Sequence, residues 1–185
     1  MQFHRNFDAR ILSLLLESYN EGDKELRKTI HSIAQTNYPS ENKVMVLVAD
    51  GNITGKGERL PTRMILSKIL GFDIDEKEDD TFSYKSLGAC GSNRCNVYSG
   101  VYENQGKSLK YVVVVKRGTE SESGSAKAGN RGKRDSQLIV TGMFNRIHHG
   151  RQLSELDSAI AHSLKSRGIR VREVEYLMTI DADTR

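Results

Sequence analysis

Runs of consecutive apolar residues stand out at four places along a mixed polar chain: ILSLLL (11–16), VMVLV (44–48), YVVVV (111–115) and YLMTI (176–180). Their unbroken, largely β-branched or aliphatic character predicts strands buried on both faces, as in a parallel sheet. Between them the apolar spacing changes to that of helices. Leu26, Ile30, Ile33 and Ala34 fall at i, i+4, i+7 and i+8, and TNYP (36–39) ends the pattern. A second helix carries Val140, Met143, Phe144 and Ile147 from Ser136 onward. A third carries Leu153, Leu156, Ile160 and Leu164 and stops before Gly168. Strands alternating with helices predict one α/β domain over residues 1–185 with a mostly parallel sheet.

The stretch from Gly51 to Lys110 is less regular. It holds scattered glycines, an acidic loop DIDEKEDD (73–80) and a hairpin signal in NVYSGVYENQGKSLKYVVVV, with its turn at ENQGK. It reads as an insertion on the core domain, spanning about 51–110. A second polar segment, ESESGSAKAGNRGKRDS (120–136), is glycine-rich and carries four cations between Lys127 and Arg134.

Composition narrows the function classes. With 185 residues, 37% hydrophobic and 28% charged, the chain can bury the core of a single soluble domain. A net charge of +4 does not call for a nucleic-acid partner, and the basic loop lacks the interleaved aromatics of a single-strand platform. No apolar run approaches the roughly 20 residues that span a bilayer. The opening MQFHRNFDAR has no signal-peptide pattern. Cys90 and Cys95 read as free thiols in a reduced, intracellular setting. The G-x-x-x-x-G-K-[ST] spacing of a triphosphatase loop is absent, and GKGE (55–58) is no dinucleotide fingerprint.

The polar motifs share a position. The first strand ends in ESYNEG, the second in ADG and the fourth in DADT, while the third leads through KAGNRGKRDS into a helix. In an open parallel sheet the carboxyl ends of strands lie along one edge, where ligands bind. Three acidic motifs and one basic one therefore converge on a crevice suited to a metal-chelated diphosphate joined to a polar ring. Asp181 and Asp183 point to one side of an extended chain and offer oxygen ligands to a hard divalent cation. Lys127, Lys133 and Arg134 add positive charge for phosphates beside glycine amides and a helix N-terminus. Asp50 is placed to accept a hydrogen bond from a base N–H, and Tyr19 to pack on a ring. Taken singly, each motif has a plainer reading: Asp50-Gly51 as a turn, NEGD as a helix N-cap, Asp-x-Asp as a surface turn.

In combination, SYNEG…LRKTIHSIAQTNYP followed by VLVADG resembles the start of the catalytic domain of processive family-2 glycosyltransferases. KAGNRGKRDSQ followed by DADT narrows the resemblance to fungal-type chitin synthases, over about Leu12 to Thr184. The resemblance implies a nucleotide-sugar-binding fold of GT-A type, UDP-N-acetylglucosamine as donor, and Mg or Mn at the Asp-x-Asp motif. It places Tyr19 and Glu21 in the uridine pocket, Asp50 on uracil, and Lys127 with Lys133 and Arg134 at the diphosphate. Asp183 becomes the principal metal ligand, with Asp181 beside the donor sugar. SYNEG departs from the Cys and Thr that many chitin synthases carry at the Ser18 and Asn20 positions.

The family's general-base motif, its Gln-x-x-Arg-Trp motif and its transmembrane helices would lie beyond Arg185. The expectation is therefore a donor half, inactive alone. Its full-length parent would sit in the plasma membrane with this domain on the cytosolic side and a growing chitin chain as acceptor. An inactive UDP-sugar-binding module, or a hyaluronan- or cellulose-synthase-like enzyme, stands as the alternative.

Overall fold

The computed structural model describes residues 11–18, 21–50, 53–55, 57–74 and 81–182. Ten elements follow in chain order: β1 (Ile11–Ser18), α1 (Asp23–Gln35), β2 (Lys43–Ala49), α2 (Thr62–Leu70), β3 (Phe82–Tyr84), β4 (Asn93–Asn104), β5 (Lys107–Lys116), α3 (Lys133–His148), α4 (Glu155–Ser166) and β6 (Val174–Asp181). They form one six-stranded sheet in the order β3-β4-β5-β2-β1-β6. Strands β5, β2, β1 and β6 are parallel neighbours, whereas β3, β4 and β5 pair antiparallel.

The unbroken apolar character of β2 has a direct cause. Both faces of the sheet are covered there, and all seven residues of the strand are buried. Met45, Leu47 and Ala49 pack with Leu26, Ile30 and Ile33 of α1 and Ile65, Leu66 and Ile69 of α2. Val44, Val46 and Val48 pack on the other face with Val140 and Met143 of α3 and Leu156, Ile160 and Leu164 of α4. Alternation within a continuous apolar run thus feeds two cores at once.

Helix ends are secured by side chains. Buried Lys43 donates from Nζ to the carbonyls of Ile33 and Ala34, each at 3.0 Å, and so satisfies orphan acceptors at the end of α1. Burial pushes that ammonium's pKa down. Ser154 caps α4, accepting from the Asp157 amide, while the Asp157 carboxylate accepts from the Ser154 amide at 2.8 Å.

Two features differ from the sequence expectations. The stretch 51–110 contains a helix, α2, that alternation with the strands did not signal; it is short, opening after Pro61 and closing on Gly71 at φ 76°. The hairpin turn does fall at Gln105 and Gly106, at φ 45° and 76°, and its strands join the main sheet. β6, expected to be buried on both faces, is the edge strand of the sheet and leaves Tyr176, Leu177 and Met178 exposed at 48%, 37% and 52%.

The order of the parallel strands positions the site. The chain passes from β1 to β2 to β5 in one direction, then returns to lay β6 on the far side of β1. The carboxyl ends of β1 and β6 therefore flank the reversal point, with Glu17 opposite Asp181 in register.

Candidate functional site

The carboxyl edge gathers the predicted motifs. Asp181 ends β6 with its side chain half exposed, and Lys133, the first residue of α3, makes an ion pair with its carboxylate. The basic loop and the acidic strand end thereby meet at one place. Ala182, next in the chain, turns inward and is buried in the α1/α2 core. Its carbonyl accepts a 2.7 Å hydrogen bond from Thr29 Oγ1 on α1. This anchor fixes the backbone just beyond Asp181, whose carboxylate is paired with Lys133. Glu21 stands half-buried beside Gly22, which caps α1. Tyr19 and Asp183 lie outside the described residues. Lys127 and Arg134 are exposed on the loop and at the start of α3, and among the described residues their side chains make no hydrogen bond or ion pair.

Asp50 follows β2 and is only 2% exposed. Its Oδ1 accepts from Lys116 Nζ at 2.8 Å and from the Arg131 amide at 3.3 Å. Among the described residues its Oδ2 accepts no hydrogen bond. Lys116, the last residue of β5, is fully buried and lies 3.0 Å from Asp135 Oδ2. It also donates to Ser136 Oγ at 2.9 Å and to the Gly132 carbonyl at 3.3 Å. Asp135 accepts in addition from Tyr84 OH at 2.7 Å and from the Leu87 amide at 2.8 Å. Burial, with neighbouring negative charge, drives the Tyr84 phenol pKa far up, so it stays a neutral donor.

The basic loop is held from both sides. Asn93, opening β4, donates to the Gly129 carbonyl at 3.0 Å and accepts from the Gly118 amide at 2.9 Å. Arg131 grips Glu122 through two guanidinium nitrogens at 2.9 and 2.7 Å. That fork pulls the Glu122 carboxyl down to about 2. Arg131 is thus engaged inside the loop, while Lys127, Lys133 and Arg134 face outward as exposed cations on the same segment.

Sequence reasoning missed the buried polar cluster. Lys116, Asp135, Ser136, Asn93 and Tyr84 come from four separate elements, β5, α3, β4 and β3, and only tertiary contact joins them. A signal existed in the lysine that closes the run YVVVV and in the aspartate that follows Lys133-Arg134. A charge adjoining a buried strand requires a partner of opposite charge.

The described residues hold no group of three or more His, Cys, Asp or Glu that converges as a metal cage. Asp181 nevertheless suits a hard cation. It is a half-exposed carboxylate at the reversal point, and a cation there would take the place that the Lys133 ammonium holds on it.

An open α/β sheet with a basic loop and an acidic strand end on one edge is consistent with a GT-A-like glycosyltransferase domain. The family model described as chitin synthase matches residues 2–185, and the chain belongs to that family. It is 42% identical to chitin synthase 5 of Pyricularia oryzae over 171 residues, covering 90% of this chain and 10% of that protein. It is 41% identical to chitin synthase A of Aspergillus oryzae over 175 residues, covering 92% of this chain and 10% of that one. Chitin synthase 4 of Cryptococcus neoformans is 41% identical over 170 residues, or 90% of this chain and 13% of that protein. The chain thus spans about a tenth of the length of the curated relatives it matches.

Proposed function

We infer that this chain is the donor-binding half of a chitin synthase catalytic domain. It holds UDP-N-acetylglucosamine, whose sugar the full-length enzyme adds to a growing β-1,4-linked chitin chain. The observation that carries the reading is the ion pair between Lys133 and Asp181, which supports a diphosphate and its cation sharing the reversal point of the sheet. Uracil lies against Asp50, whose Oδ2 accepts the base N–H, with Tyr19 and Glu21 forming the pocket wall. Lys127, Lys133 and Arg134 take up the charge of the phosphates. Asp181 and Asp183 hold Mg or Mn, which when bound neutralises charge on the leaving diphosphate. Thr29, through the Ala182 carbonyl, ties the backbone just after Asp181 to α1. Membrane attachment of the full-length parent, with this domain on the cytosolic side, belongs to the same reading. Among the described residues no helix is long and apolar enough to cross a membrane.

Base and phosphate recognition are separable by calorimetry. Asp50→Ala should weaken UDP about tenfold or more and leave pyrophosphate nearly unchanged, since a hydrogen bond to a charged group contributes about 1.5–3 kcal/mol. Lys127→Ala should weaken both ligands. Identical ligand profiles for the two variants would overturn the assignment of base and phosphate ends.

A further inference from the structure

Lys116 has no assigned role, yet it occupies the centre of the site. It is fully buried, so it cannot touch a ligand itself. Its ammonium binds Asp50 Oδ1 at 2.8 Å on one side, and Asp135, Ser136 Oγ and the Gly132 carbonyl on the other. The first partner is the carboxylate after β2. The other three belong to the start of α3, where the basic loop ends. One ammonium therefore joins the base end of the site to its phosphate end.

The chemistry of this arrangement is specific. Lys116 and the Arg131 amide both occupy Asp50 Oδ1, which fixes the carboxylate plane and leaves Oδ2 as the open acceptor. A carboxylate oxygen accepts from an N–H and gains nothing from a ring nitrogen that lacks hydrogen. Uracil carries hydrogen on the ring nitrogen between its carbonyls, whereas cytosine presents a bare acceptor there. An Asp50 carboxylate held in this orientation thus selects one pyrimidine over the other, and the orientation is supplied by Lys116. The Arg131 amide adds a second tie, because the loop that contacts phosphate also contacts Asp50.

We propose that Lys116 is the positioning residue for nucleotide selection: it orients Asp50 toward a uracil N–H and couples that contact to the loop and helix start that meet the diphosphate. This inference rests on the donor-site reading above.

The test compares a single variant, Asp135→Asn, with a double variant that keeps the net charge of the cluster. In Asp135→Asn, Lys116 still holds Asp50, and UDP should remain preferred over CDP as in the unaltered chain. In Lys116→Met combined with Asp135→Asn, the cluster loses one charge of each sign and Asp50 remains. The UDP-over-CDP affinity ratio should then fall about tenfold or more, toward that of Asp50→Asn, while inorganic pyrophosphate binds within about threefold of its original affinity. Thermal unfolding monitors whether each variant is folded. A second measurement needs no variant: uridine, which carries no phosphate, should slow amide hydrogen exchange at residues 131–136 of the unaltered chain. An undiminished UDP-over-CDP ratio in the folded double variant, or unchanged exchange at 131–136 with uridine bound, would overturn the role of Lys116 and leave the donor site standing. Failure of the unaltered chain to bind UDP at all would instead overturn the donor-site reading and this inference with it.

Discussion

Glu122 shows how a single side chain conditions the basic loop. The guanidinium fork of Arg131 lowers its carboxyl from an ordinary 4.5 to about 2. A depressed carboxyl contributes stability that is fully present above the unfolded value and disappears as pH falls through the folded one. The loop clamp should therefore weaken between pH 4.5 and about 2. Glu122→Gln should flatten this acid limb of the stability profile and cost about 1–3 kcal/mol at neutral pH, read from urea unfolding across pH. Asp157 acts in the same direction: burial alone would raise its pKa, but the Arg146 fork and the Ser154 contacts lower it. At this scale the sequence was legible where chemistry is local to a motif. Lys133 and Asp181 could be placed on one edge from residue type and position, and the structure brings these two together. Lys116, Asn93 and Tyr84 could not, since each takes its meaning from a partner in another segment.

Among elements, the loop between β5 and α3 is the most constrained by backbone approach. Gly129 sits at φ 79°, and an added Cβ would lie 2.7 Å from both the Gly118 nitrogen and the Lys116 carbonyl oxygen. Gly129→Ala should displace the loop, destabilise the fold by about 1–3 kcal/mol and weaken pyrophosphate together with UDP. Unfolding and titration on one sample check both effects. Thr29→Val tests the opposite end of the site. It removes the donor to the Ala182 carbonyl, leaving a buried acceptor unpaired at a cost of about 1–3 kcal/mol. The helices α1, α3 and α4 were legible because each repeats its apolar spacing over several turns. α2 was not, because nine residues give the pattern too little length and Pro61 and Gly71 read equally well as loop punctuation.

For the whole molecule, the strand order brings distant motifs together. The parallel core β5-β2-β1-β6 places the ends of β1, β2 and β6 and the start of α3 along one edge. That architecture was legible in the alternation of apolar runs and helical patterns. The exposure of Tyr176, Leu177 and Met178 on β6 was not, because an apolar run reads alike in a central strand and in an edge strand. Membership of the chitin synthase family rests on matches across nearly the whole chain. The donor site is the claim that the chain itself can test. Calorimetric titration of UDP into the 185-residue chain, with and without Mn, and again on Asp183→Asn, tests it most directly. UDP should bind in the presence of Mn, with the Mn-dependent part lost in Asp183→Asn, since a neutral amide is a poor substitute for a carboxylate toward a hard cation. Equal UDP affinity in both chains, unaffected by Mn, would contradict a metal-assisted donor site at the end of β6.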